Sequence, residues 1–300
     1  MANVVGSNKA DLLYGTMGDD TISARGGNDT IVWSLGADHI DGGAGSDTMD
    51  YSGYKGELSI VLTGGTETSV MVDGEPGDVL VNIENLIGGS RNDYFAGDDA
   101  DNTFHGNGGH DYFVASQGAD AYYGGSGYDA VDYSNVGTAL TIRIRPTGYG
   151  YAMTTDNSNN YDRLYSIENI TGTEFGDRIS GSGANNYFRG MGGDDMLSGG
   201  AGGDVLDGGQ GNDRLRGGAN ADIFRFTGEL GKDVVVDFHT EGDSHDFVDL
   251  SATTVSDFDD LMKNHATQQG DDVVVDTLGH GTITLKHVDI NNLTADQFIF

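Results

Sequence analysis

Aspartate recurs every nine residues through much of this chain, and the glycines around it set the chemistry it can do. Residues 190 to 225 read GMGGDDMLS GGAGGDVLD GGQGNDRLR GGANADIFR, with an acid at each sixth place and an apolar residue at each eighth. The phase holds through three runs. The first carries Asp11, Asp20, Asp29, Asp38 and Asp47, and the second Asp93, Asn102, Asp111, Asp120 and Asp129. The third carries Asp177, Asn186, Asp195, Asp204, Asp213 and Asp222. Short carboxylates in tight turns, joined by backbone carbonyls, make an all-oxygen cage, which suits calcium rather than zinc or copper. These sixteen residues are the candidate metal ligands.

Two nonapeptides make one coil, so acids eighteen residues apart stack on adjacent coils about 4.8 Å apart. The pairs with two acids are Asp11 with Asp29, Asp20 with Asp38, Asp29 with Asp47, Asp93 with Asp111, Asp111 with Asp129, Asp177 with Asp195, Asp195 with Asp213, and Asp204 with Asp222. Asn102 with Asp120 and Asn186 with Asp204 are expected to be weaker, since one oxygen is uncharged. Counted this way, the chain takes roughly eight to ten calcium ions. The loops Trp33 to Asp38 and Ala115 to Asp120 lack the leading glycines and are expected to be empty or distorted. A metal-free solenoid of Gly/Asp turns is the alternative. Against it, two carboxylates about 5 Å apart repel by about 3 kcal/mol at an effective dielectric of 20.

The elements that position these acids follow from the same repeat. The eighth residue of a short strand points inward, so Ile22, Ile31, Ile40, Phe95, Phe113, Val131, Ile179, Leu197, Leu206 and Leu215 are expected to fill a thin core. Glycine at the first, second and fourth places is expected to permit positive φ. Asp93, Asn102 and Asp111 recur 84 residues later as Asp177, Asn186 and Asp195. The array therefore comprises residues 1–225, with runs at 6–50, 88–132 and 172–225 and matching inserts at 51–87 and 133–171. Each insert has DYS near its start and IEN near its end, and Leu58 to Leu62 and Leu140 to Ile144 read as strands that widen or continue the solenoid. Residues 226–300 form a separate C-terminal region.

Composition narrows the partners. The 300 residues include 50 Gly and 2 Pro, and 48 acids against 15 bases give a net charge of −33. Eight of the acids are Glu, leaving 40 Asp, an excess expected of ligands rather than of a solvated coat. Such a charge disfavours nucleic acid and anionic membranes and invites cations. The absence of Cys excludes disulfides and thiolate metal sites, which fits a secreted protein stabilised by metal. MANVVGSNKADLLYG has neither a basic nor an apolar leader segment, and no stretch is long enough for a membrane span, so an export signal is expected elsewhere.

The chain resembles the RTX calcium-binding proteins over essentially its whole length, through the unit GGxGxDxUx. Residues 226–300 resemble the C-terminal region shared by serralysin-type proteases and alginate epimerases. That likeness rests on GKDVVVDF with Asp233 and Asp237, GDSHDFVDLS with Asp246 and Asp249, and the final LTADQFIF. The resemblance implies an all-β, right-handed parallel β-roll or β-helix solenoid with two inserts and a C-terminal β cap. It also implies an extracellular protein exported by type I secretion machinery that reads an uncleaved C-terminal signal. Phe298, Ile299 and Phe300 equally suit a last strand capping the roll. Because the cages do not exist in the unfolded chain, the fold is expected to form on meeting extracellular calcium.

Nothing in the sequence marks a catalytic centre. HExxH and GxSxG are absent, cysteine nucleophiles are impossible, and the eight histidines show no ligand spacing. His105 and His110 read as loop residues on the surface. A non-enzymatic protein with a structural, adhesive or matrix role is therefore expected, with self-assembly through a blunt first coil as one route. The second reading is a polysaccharide-binding accessory module of the alginate-epimerase type, using Arg143, Arg145, Tyr149, Tyr151 and Arg163. Such a cluster is more often insert packing, with arginine stems over apolar surface. A polysaccharide-active enzyme is the most distant alternative.

Overall fold

The computed structural model describes residues 1–145, 148–154, 161–242 and 244–300. They form two compact units, Met1–Tyr133 with Asn159–Ile167, and Ser134–Ser158 with Glu168–Phe300. Both are all-β apart from a few short helical turns, and among the described residues no helix is long and apolar enough to cross a membrane.

In the first unit, successive three-residue strands alternate between two sheets. Asn3–Val5, Thr21–Ser23 and His39–Asp41 are neighbours in one, and Leu12–Tyr14, Thr30–Val32 and Thr48–Asp50 in the other. The pairing is parallel with an eighteen-residue offset: Ile22 faces Ile40, Leu13 faces Ile31, and Phe95 faces Phe113. Two nonapeptides thus make one coil, as the repeat predicts. Alternation sends the eighth residue inward. Ile22, Ile31, Ile40, Phe95, Phe113 and Val131 are accordingly buried, and Phe104 and Tyr122 pack among them with their rings tilted by 50°.

The first insert breaks the parallel pattern. Leu58–Val61, Thr68–Val72 and Glu75–Val81 form an antiparallel meander whose outer members pair in parallel with the coils on either side. It continues the sheet and replaces one coil. Its sharp reversal at Asp73 and Gly74 uses two positive φ angles, 50° and 82°.

The second unit repeats the design. Asn169–Thr171, Tyr187–Arg189, Val205–Asp207 and Ile223–Arg225 stack in one sheet, and Leu140–Ile144, Arg178–Ser180, Met196–Ala201 and Arg214–Ala219 in the other. Ile179, Leu197, Leu206 and Leu215 are buried between them. Leu140–Ile144 turns back antiparallel on Tyr149–Thr154. Beyond residue 225, Lys232–Val235 and Phe247–Asp249 extend the two sheets in parallel, although the spacing is no longer nine. Phe298–Ile299 then pairs with Phe247–Asp249, the strand anticipated at the end of the sequence. Ala266–Gln269, Asp272–Asp276 and Thr282–Leu285 form an antiparallel edge.

Candidate metal centre

The sixth-place acids form hydrogen-bonded ladders along the turns. The main-chain N–H of each donates to the side chain of the acid one coil later: Asp11 to Asp29 at 2.7 Å, Asp20 to Asp38 at 2.8 Å, Asn102 to Asp120 at 2.8 Å and Asp195 to Asp213 at 2.9 Å are examples. One carboxylate oxygen is thereby committed to holding coils together. What metal chemistry remains depends on the other.

That second oxygen divides the sixteen loops into two classes. In eight, the residue four before the acid or amide closes it. Thr16 donates its N–H and its hydroxyl to Oδ2 of Asp20, and Ser7 does the same for Asp11. Asp38 accepts the Ser34 hydroxyl at 2.9 Å, and Asp120 accepts Ser116 at 3.0 Å and the Tyr122 hydroxyl at 2.9 Å. Gly89 and Thr173 donate N–H to Asp93 and Asp177. Asn102 and Asn186 accept the N–H of Asp98 and Ser182, and their own amides donate to the carbonyls of Glu84 and Glu168.

In the other eight, the residue four before the acid is left-handed: Arg25, Gly43, Asn107, Gly125, Met191, Gly200, Gly209 and Gly218, with φ between 69° and 112°. Oδ2 of Asp29, Asp47, Asp111, Asp195, Asp204, Asp213 and Asp222 is then buried with no hydrogen-bond partner. A buried, unserved carboxylate oxygen costs about 1 to 3 kcal/mol or more, so it calls for a cation or a proton. Burial pushes the Asp195 carboxyl up to about 8 and those of Asp111 and Asp222 up to about 7, with neighbouring acids adding to the effect. In the closed class the Ser7 and Thr16 donors hold the outer Asp11 and Asp20 below the usual carboxylate range, while burial still raises Asp93, to about 6, and Asp120 and Asp177.

Glycine has two separate jobs here, and the positive φ expected to be permitted at all three leading places is not used at the first. At the first place no positive φ occurs; the requirement is clearance, because a Cβ on Gly106 would lie 2.0 Å from Oδ2 of Asp111, and one on Gly190 2.1 Å from that of Asp195. At the second place of an upper loop the carbonyl below is the obstacle. A Cβ on Gly209 would lie 2.2 Å from the oxygen of Met191. Backbone oxygens thus crowd the space beside the unserved carboxylates. Among the described residues no three His, Asp or Glu side chains gather as a metal cluster, so a cation here must draw on these carbonyls as well. All-oxygen donors, missing partners and glycine clearance together fit calcium.

Among the described residues, rungs outside the nine-residue count include five acids. Asp78 receives the N–H of Asp38, Glu84 that of Asp47, Asp162 that of Asp120, Asp233 that of Asp213 and Asp246 that of Asp222. Each stands two residues before a buried apolar side chain, Leu80, Leu86, Leu164, Val235 and Val248 respectively. The insert motifs find their meaning here. The Glu of the first IEN is a rung, and the Tyr51 of the first DYS is buried with its hydroxyl 2.9 Å from Oδ2 of Asp78. The Tyr133 of the second DYS lies beside Asp162.

The other candidate residues separate. Arg143, on Leu140–Ile144, and Arg145, just past its end, are both exposed, and the Arg145 guanidinium lies over the Tyr149 and Tyr151 rings at 6.0 and 5.7 Å. Arg163 belongs to Tyr161–Tyr165 of the first unit, paired with Ala121. His105, expected in a loop, is instead within Thr103–Gly108, where the strand runs on past the apolar eighth residue. Its ring stacks on Tyr123 at 4.2 Å, and burial lowers its pKa. His110 is in a loop and exposed, stacked on Tyr128.

Two sheets of short parallel strands joined by carboxylate-lined turns define a β-roll. The chain belongs to the family of the RTX calcium-binding nonapeptide repeat, whose profile matches residues 3–31, 34–53, 87–122, 97–131, 171–206 and 198–235, more than half of the sequence. It is a calcium-binding β-roll protein. No curated protein matches it. Among solved structures it is similar to the extracellular lipase LipA from Serratia marcescens, with 20% identity and a TM-score of 0.37 over 99% of this chain and 40% of the lipase. It is also similar to the AlgE6R3 subunit of the Azotobacter vinelandii mannuronan C5-epimerase, with 28% identity and a TM-score of 0.35 over 42% of this chain and 79% of that one. The chain thus spans about two fifths of the lipase's length.

Proposed function

We propose that this is a secreted protein that folds when it meets extracellular calcium and serves as a structural or adhesive surface, with sixth-place acids as the ligands. The observation that carries the reading is the set of buried carboxylate oxygens without partners. Bound calcium supplies the positive charge that lets these acids stay ionised in the core. The chain's own part is to clear space with glycine, to fix each acid through one oxygen, and to present the other. Extracellular calcium modules bind with dissociation constants of about 10⁻⁴ to 10⁻³ M, so the cytosolic chain stays open and the exported one closes. Residues 226–300 carry the type I export signal in this proposal. The test is circular dichroism in chelator and in millimolar calcium. Strand content that rises with calcium supports the reading, and equal strand content in both overturns it.

A second reading assigns an anionic polysaccharide to the segment carrying Arg143 and Arg145, because both cations are exposed two residues apart. Titration with uronate oligomers decides it, with Arg143→Ala/Arg145→Ala as the comparison. Binding that the double variant loses supports it.

A further inference from the structure

We infer that calcium loads this roll at four places only, each a stacked pair of open loops: Asp29 with Asp47, Asp111 with Asp129, Asp195 with Asp213, and Asp204 with Asp222. The inference rests on the calcium-folding proposal and refines it, replacing the expected eight to ten sites by four of one kind. It begins from the distribution of the open class. Its eight loops do not scatter; every one stacks on another, eighteen residues away, through the N–H to Oδ1 bond.

Three independent features coincide in each pair. The lower loop has a left-handed residue at its second place, Arg25, Asn107, Met191 or Gly200. The upper loop has glycine there, Gly43, Gly125, Gly209 or Gly218, and a Cβ on it would lie 2.0 to 2.2 Å from the carbonyl oxygen of the residue beneath. Oδ2 of the lower acid is buried and unserved in all four, and the acids Asp29, Asp111, Asp195 and Asp204 are at most 1% exposed. Two open loops therefore bring backbone carbonyl oxygens and the unserved Oδ2 of the lower acid into one gap.

The closed loops already hold what calcium would supply. A hydroxyl or N–H sits on the second oxygen of Asp20, Asp38, Asp93 and Asp120, and a cation there would have to displace it. The Tyr122 hydroxyl also donates to Asp120, and on the rung above Asp38 the Tyr51 hydroxyl donates to Asp78. The first loop on each edge of every run is closed: Asp11 and Asp20, Asp93 and Asn102, Asp177 and Asn186. Metal-independent coils thus begin each run, and metal-dependent pairs follow. In the first unit each run has its pair on one edge; in the second unit both edges have one.

The experiment is a calcium titration of the full chain, with bound metal counted by native mass spectrometry. Four ions at saturation are expected. Asp195→Asn/Asp213→Asn should lose one ion, whereas Asp38→Asn and Asp120→Asn should lose none. Eight or more ions, or loss of an ion in either closed-loop variant, overturns the inference. Terbium-loaded crystals of the unaltered chain give a check that needs no variant: anomalous peaks at the four pairs support it, and a peak beside Asp20 or Asp38 overturns it. Failure of the wider folding proposal reads differently, as strand content unchanged by calcium.

Discussion

The main-chain N–H of Asp195 donates to Oδ1 of Asp213 across 2.9 Å, while Oδ2 of Asp213 is buried with no partner. One side chain thus clasps two coils and waits for a cation. Asn in place of Asp213 keeps the clasp, and its amide can turn to a carbonyl as Asn102 and Asn186 do. Loss of one charged ligand is expected to weaken calcium at that pair by roughly tenfold or more. Ala removes the clasp too, and should cost a further 1 kcal/mol or so in calcium-saturated stability. Calorimetric titration separates these effects; equal calcium affinity in Asp213→Asn and the unaltered chain would sink the assignment.

The metal-free roll should gain stability in acid. Burial raises the folded pKa of Asp195 to about 8 and of Asp111 and Asp222 to about 7, from an ordinary 3.8. The folded state therefore holds protons that the unfolded chain releases. That contribution is full below about pH 4 and is lost progressively as pH rises from there through the folded pKa values of about 7 to 8. In chelator, strand content should be higher near pH 5 than near pH 8, by circular dichroism. Asp195→Asn, which stays neutral throughout, should flatten part of that slope.

Much of this was legible because the repeat imposes two demands at once, an acid at the sixth place and an apolar residue at the eighth. Ile22, Leu197 and their equivalents, and the eighteen-residue register, followed directly. Asp78, Asp162 and Asp246 did not, since their ladder partners lie 40, 42 and 24 residues away and no fixed period finds them. The acid two places before Leu80, Leu164 or Val248 was the available signal. The open and closed classes were half legible: Ser and Thr at the second place mark closure, but Arg25, Asn107 and Met191 adopt left-handed angles that their side chains do not announce.

Adjacent second-place residues should respond oppositely to substitution. Gly209 has φ of 94° and lies over the Met191 carbonyl, so Gly209→Ala meets both strain and a clash and should cost more than about 1 kcal/mol. Met191 has φ of 81° already, so Met191→Gly relieves strain at an entropic cost and should change stability by less than about 1 kcal/mol. Urea denaturation in saturating calcium measures both. Similar losses in the two variants would mean that the stacked carbonyl is not the constraint.

Tyr51 should matter for stability and not for metal. Asp78 is 3% exposed; its Oδ1 takes the N–H of Asp38 at 2.9 Å and its Oδ2 takes the Tyr51 hydroxyl at 2.9 Å. Tyr51→Phe keeps the ring in the core and removes only the donor. A buried oxygen left unserved costs about 1 to 3 kcal/mol, and the carboxylate's charge places this case toward the upper end. Asp78→Asn added to Tyr51→Phe should restore part of the loss, because a neutral amide is cheaper to leave unpaired. The number of calcium ions should stay the same in both, since Asp38 beneath is closed by Ser34. Chemical denaturation and ion counting on the same samples provide the check. A loss under about 0.5 kcal/mol would show that water or a cation takes over the oxygen.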